Sequence, residues 1–214
     1  MGIFLTQMKM MIDEQILMAK NDRKFESVFC VGDDWQSNAC INWANDPISL
    51  FAIGYKGAAD NLVKYILLKA RDQDTMVYPI LFLYRQYIEL RLKEIIREGN
   101  ILLEKDETFP KHHNMVSLWK NVKEISKEVF KNEEELLDLS HAEHVIIEFA
   151  KIDPGSFSFR YPESKAGINP LEGMTHINIR GAAVHINKLS EDLENISLGM
   201  SVYREWQQDM WSSI

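Results

Sequence analysis

Cysteine, proline and glycine are scarce in this chain, and each scarcity removes a class of protein. Only two cysteines, Cys30 and Cys40, occur in 214 residues. With no histidine or further cysteine at ligand spacing they specify neither a disulfide framework nor a zinc knuckle, and they read as ordinary reduced thiols. Six prolines and ten glycines are too few for a collagen-like or low-complexity chain. No apolar run reaches the roughly 18 residues that a membrane span needs. The first twelve residues mix Thr6, Gln7 and Lys9 into their apolar stretch without a small-residue cleavage site, so no secretory signal is expected. The expected location is the cytoplasm, with no membrane partner.

A basic excess is also missing. The formal charge is −8, and acid gathers toward the C-terminus: residues 1–84 carry 8 basic and 10 acidic groups, residues 85–131 carry 10 and 8, and residues 132–214 carry 6 and 14. A protein that grips long nucleic acid presents a basic face that displaces condensed counterions, so any contact with nucleic acid here must be local.

What is present is helical periodicity. Met8 to Phe29 places Met11, Ile12, Ile16, Leu17, Phe25 and Val28 at helical spacing and ends at Gly32. Trp35 to Pro47 has no period and reads as an ordered loop that carries Trp35 and Trp43 into the core. A second helix is expected over 49–70, with Gly54, Gly57, Ala58 and Ala59 permitting close packing. Asp74-Thr75 suggests the cap of a third, over 76–99, with Pro79 in its first turn. That helix is apolar nearly all round from Ile80 to Leu92, as befits a central buried rod. Further helices are expected over 115–130, over 133–151 behind three glutamates that suit the positive end of the dipole, and over 177–211 with a break near Gly199. An irregular loop, 153–173, separates the last two. No β alternation or repeat appears. The expected fold is one all-α domain: a multi-helix bundle over 49–214, extended by a helix and loop over 1–48.

Several constellations could carry chemistry. Arg85, Glu89 and Lys93 lie at i, i+4 and i+8 on the buried helix, within an arc of about 80°. They form either a structural ladder around Glu89 or the lining of an anion pocket. His112, His113 and Asn114 precede the fourth helix, where Asn114 or His113 can cap it. Adjacent histidines cannot share a helix face as metal ligands, and no metal site or cofactor is expected. The loop holds Ser156-Phe-Ser-Phe-Arg160-Tyr161-Pro162, an aromatic and cationic cluster in which Arg160 either pairs with a buried carboxylate such as Glu89 or meets a ligand. Arg180 and His185 would suit metal-free RNA cleavage, with His185 moving a proton and Arg180 stabilising the phosphorane charge. Five residues along a helix turn through about 140°, so the two need a helix start between them or a dimer axis to converge. Ile179, Ile186, Leu189, Leu193 and Ile196 make an apolar stripe that could build a homodimer or serve the chain's own core.

The run Tyr78-Pro-Ile-Leu-Phe-Leu-Tyr-Arg-Gln-Tyr-Ile-Glu-Leu-Arg-Leu-Lys93, with His113-Asn-Met-Val-Ser-Leu-Trp119 and Phe159-Arg-Tyr-Pro162, resembles HEPN-like (higher eukaryotes and prokaryotes nucleotide-binding) helical proteins of bacteria and their mobile elements. The resemblance spans about residues 53–200. It implies an all-α bundle, frequent dimerisation, and work in toxin–antitoxin or phage-defence systems beside an antitoxin or other defence partner. Catalytic members cleave RNA without metal through an Arg-x4-6-His motif that Arg180 and His185 match, with Gly181 where a polar residue is usual. Other members lack the motif and act as binding or scaffolding domains. Two functions are therefore expected: a metal-independent ribonuclease that uses Arg180 and His185, or a non-catalytic module in which Arg85, Glu89, Lys93, His113, Arg160 and Tyr161 bind a nucleotide or hold a partner.

Overall fold

Helices alone make up the regular structure among the described residues. The computed structural model describes residues 29–44, 47–106, 108–131 and 138–212, with side chains as far as Met210. The chain divides into two units, Met1–Asn45 and Asp46–Ile214. The helix expected over Met8 to Phe29 lies almost wholly outside the described residues.

In the first unit a single 3-10 turn, Trp35–Ser37, is closed by Asn38. The amide of Asn38 donates to the Gly32 carbonyl and accepts from the Gly32 N–H, both at 2.8 Å. Trp35 and Trp43 do not enter a core as expected: they are 73% and 68% exposed. The turn is closed by polar groups and buries no residue of its own, so it offers the indoles no apolar neighbours. Cys30 and Cys40 are free and exposed.

The second unit is a five-helix bundle: α1 Ile48–Lys69, α2 Gln73–Leu102, α3 Met115–Val129, α4 Ser140–Ile152 and α5 Ile179–Ser212. On α1 the buried residues Ile48, Ala52, Ala59, Val63 and Ile66 recur at the helical period. The close approach comes from Ala52 and Ala59, both fully buried. Gly54 and Gly57, expected to provide it, face open space. Ala70 and Asp72, both in the left-handed conformation, turn the chain straight into α2, making an αα-hairpin.

The central helix is α2: no residue from Ile80 to Asn100 is exposed. It begins earlier than Asp74-Thr75 suggests, because the N–H groups of Thr75 and Met76 already donate to the Asp72 carbonyl at 3.3 and 2.9 Å. Pro79 consequently sits inside the helix instead of in its first turn. Near the other end, a Cβ on Gly99 would stand 2.1 Å from Ile125 Cγ2 on α3, so only glycine lets these helices meet so closely. The capping expectation for α3 holds: Asn114 Oδ1 accepts from the Ser117 N–H at 2.9 Å. The Glu133–Glu135 run expected to open the next helix lies outside the described residues.

No break occurs in α5, which runs on past Gly199. A Cβ there would meet Phe130 Cζ at 3.0 Å, so this glycine makes room for a ring and does not interrupt the helix. Ile179, Ile186, Leu189, Leu193 and Ile196 are all buried in the chain's own core. The stripe expected to build a homodimer is therefore already covered. No helix among the described residues is long and apolar enough to cross a membrane.

Candidate functional site

Three neighbouring arrangements hold the residues singled out in the sequence. The first is a buried ionic clamp. Glu89, 1% exposed, accepts from Arg85 Nη1 at 2.6 Å, from Lys93 Nζ at 2.8 Å and from His113 Nδ1 at 2.7 Å. Arg85, fully buried, also donates to the carbonyls of His113 and Asp153, at 2.8 and 3.3 Å, and lies 3.5 Å from Asp153 Oδ2. Two carboxylates thus answer two cations, as buried charge requires. Burial alone would raise the Glu89 carboxyl, but donors from Lys93, Arg85 and His113 hold it below the usual carboxylate range. The clamp ties α2 to the segment before α3 and to the start of the long loop. Arg85 is enclosed and engaged within the chain, which leaves it no face for a ligand phosphate. His113, whose side chain is 61% exposed, is the member that reaches solvent.

Arg160 does not join this clamp. Asp153 takes the place expected for the loop's contribution: it partners Arg85, and its Oδ1 accepts from the N–H groups of Phe157 and Ser158 at 2.7 and 2.9 Å. Those bonds shape the turn that follows, bury Phe159 and leave Arg160 outside. The Arg160 guanidinium lies 5.5 Å from the ring centres of both Phe82 and Tyr161. Among the described residues it pairs with no carboxylate. It stands on the wall of the second arrangement, a cleft of about 840 Å³ between the first turns of α2 and the long loop, where Asp74, Tyr78, Ser158, Tyr161 and His176 also lie.

The third arrangement is a smaller, mainly apolar annex of about 210 Å³, lined by Leu81 and by residues of α4 and α5 that include His144, Glu148 and His185. Phe159, Met174 and Ile177 line both spaces. His185 is exposed and lies 3.1 Å from His141 on α4. Arg180, also exposed, is the second residue of α5. Because the helix begins before both, they point about 140° apart within one chain. Asn178 caps this start, accepting from the Gly181 N–H at 2.9 Å, and so fixes the separation.

Sequence reasoning passed over Asp153, His141, His144, Glu148 and Asp192. One signal was available: His185, Lys188 and Asp192 are spaced i, i+3 and i+7, which puts them on one face of a helix. Their meeting with His141 depends on how α4 packs on α5. Among the described residues no group of three or more histidines, cysteines or carboxylates could hold a metal ion. No protein-family model, curated protein or solved structure matches the chain.

Proposed function

We propose that the chain is a HEPN-like binding module whose cleft holds a nucleotide or the end of an RNA strand, serving a bacterial or phage conflict or stress system. The observation that carries this reading is Arg160: an exposed guanidinium held against two aromatic rings, without a carboxylate partner among the described residues, on the wall of an 840 Å³ cleft. A planar base can stack on Tyr161 or Tyr78 while a phosphate takes the guanidinium fork. The cleft is of the size that small ligands occupy. One isolated cation on an acidic protein suits a single nucleotide or a strand end better than a long duplex. The test is calorimetric titration with the four ribonucleoside monophosphates and with inorganic phosphate. Binding of at least one nucleotide, weakened ten-fold or more in Arg160→Ala with an unchanged melting temperature, is the expected result. No binding, or binding indifferent to Arg160, would overturn the reading.

Metal-independent RNA cleavage is a second reading, in which the chain is a toxin or abortive-infection effector. It is favoured by the hydrogen-bonded, exposed His185 beside the cleft. Since Arg180 points away from His185 within the chain, this reading brings Arg180 from a second copy. Cleavage that persists in chelator and is lost in both Arg180→Ala and His185→Ala would establish it. Purified protein that leaves RNA intact would dismiss it.

A further inference from the structure

His185 is supported from behind. His141 places Nε2 3.1 Å from His185 Nδ1, and the ring planes differ by 11° with centroids 5.4 Å apart. A ring nitrogen lies about 1.15 Å from the centre of an imidazole, so a straight edge-to-edge hydrogen bond of 3.1 Å separates the centres by about 5.4 Å. The observed separation is therefore that of coplanar rings joined end to end. A face-to-face stack is excluded, because the nitrogens approach more closely than stacked ring planes can.

Behind His141 stands Asp192, 5% exposed. Its Oδ2 lies 3.5 Å from His141 Nδ1. Both atoms are buried and neither makes a hydrogen bond; at 3.5 Å the approach is a charge contact that sets a potential donor and acceptor facing each other. The second oxygen of Asp192 pairs with Lys188 Nζ at 2.8 Å, which leaves Oδ2 facing His141.

We infer that Asp192, His141 and His185 form a proton relay in which Asp192 and His141 are positioning residues and His185 Nε2 is a base on the annex wall. The carboxylate fixes the proton of His141 on Nδ1. The free Nε2 of His141 then accepts from His185 Nδ1–H, which leaves the lone pair of His185 on Nε2. The substrate is an alcohol of the ribose kind on a ligand held in the cleft. Its O–H proton passes to Nε2 while the oxygen keeps the electron pair, and the resulting imidazolium charge is stabilised through His141 by Asp192. That oxygen forms a bond to the adjacent phosphorus as the bond from phosphorus to the leaving oxygen breaks, and the leaving oxygen takes the proton back from His185, so the step balances without an oxidant. The other charged or titratable groups facing this line are Lys188 and Glu191 on α5, His144 and Glu148 on α4, and Asp138 just before α4.

The choice of substrate rests on the cleavage reading, but the relay itself does not, and it is tested without ligand. Two-bond proton–nitrogen correlation spectra of the full chain, labelled with 15N-histidine and recorded at about pH 8.5, above the ordinary histidine range, report each tautomer directly. His185 is expected in the Nδ1–H form in the wild type and in the Nε2–H form in His141→Ala. In Asp192→Asn, His141 should lose its preference for Nδ1–H. Unchanged circular dichroism would show that the variants fold, and Lys188→Ala controls for loss of the neighbouring ion pair. His185 in the Nε2–H form in the wild type, or a tautomer unchanged when His141 is removed, overturns the relay. Failure of nucleotide binding or of cleavage leaves these spectra as they are, so the two outcomes are separable.

Discussion

Gly99 on α2 and Ile125 on α3 approach so closely that a Cβ on the first would lie 2.1 Å from Cγ2 of the second. The same Cβ would lie 3.5 Å from Ile125 Cβ and 3.3 Å from Met200 Cε, so an added methyl would meet two core side chains. Gly99→Ala is therefore expected to destabilise the bundle by about 1–3 kcal/mol, the usual cost of overpacking a core, less any gain in helix propensity. Urea denaturation measures it. A loss under about 0.5 kcal/mol would show that the helices separate without strain.

Removing Glu89 has a different cost, since it leaves Lys93 buried without its carboxylate and Arg85 with Asp153 alone. Glu89→Ala should lose about 3–5 kcal/mol. A surface-like loss below about 1 kcal/mol would mean that water reaches the clamp. Asn114→Ala, which only uncaps α3, should lose about 1 kcal/mol.

The same clamp predicts how stability falls in acid. Glu89 is held below its ordinary value of about 4.3, so the unfolded chain binds its proton more readily than the folded one. Its contribution is complete above that ordinary value and drains away as pH falls through the lower, folded value. Urea midpoints of wild type and Glu89→Gln should converge as the pH is taken from 6 down to 3. A gap that is constant over this range would contradict the ionic reading.

Glu98 has the opposite sign. Burial, and then the charge of Glu94, raise its carboxyl, and its Oε2 is buried without a hydrogen-bond partner. The folded state therefore holds this proton more tightly, and stability is lost as pH rises through the raised value. Glu98→Gln should be at least as stable as wild type at pH 8, with the advantage shrinking toward pH 4. A variant weaker than wild type at pH 8 would show that the nearby charges of Arg91 and Arg204 outweigh the burial.

Much of the bundle was legible in the sequence because helical periodicity and burial are the same signal read twice. The apolar belt from Ile80 to Leu92 named the central helix, and Asn114 named the start of α3. The inward stripe of α5 was visible too, but the pattern does not say which surface covers it, and the chain's own core does. Glycines were read less well. Gly54 and Gly57 looked like contact points and face open space, whereas Gly99, inside a charged stretch, makes the tightest contact. The ladder from Arg85 to Lys93 was visible as spacing on one helix. Asp153 and His141 were not, because each meets its partner across a distance in sequence that only tertiary packing closes. Arg160 shows the same limit: the sequence allows it a buried carboxylate or a ligand, and in the fold its guanidinium lies against the rings of Phe82 and Tyr161.

Pro79 stands between two parts of α2 that do different work. Beyond it no residue is exposed as far as Asn100 and the clamp anchors the helix; before it lie Asp74, Val77 and Tyr78, which wall the cleft. Having no N–H, Pro79 cannot donate to the Thr75 carbonyl, so the ladder of backbone bonds is interrupted at that seam. Amide protons of residues 73–78 are thus expected to exchange by local opening, faster than those of the rest of the helix, in a hydrogen-exchange measurement. The wall of the cleft before Pro79 is therefore expected to open locally while the ionic clamp, nearly two helical turns further on, stays shut.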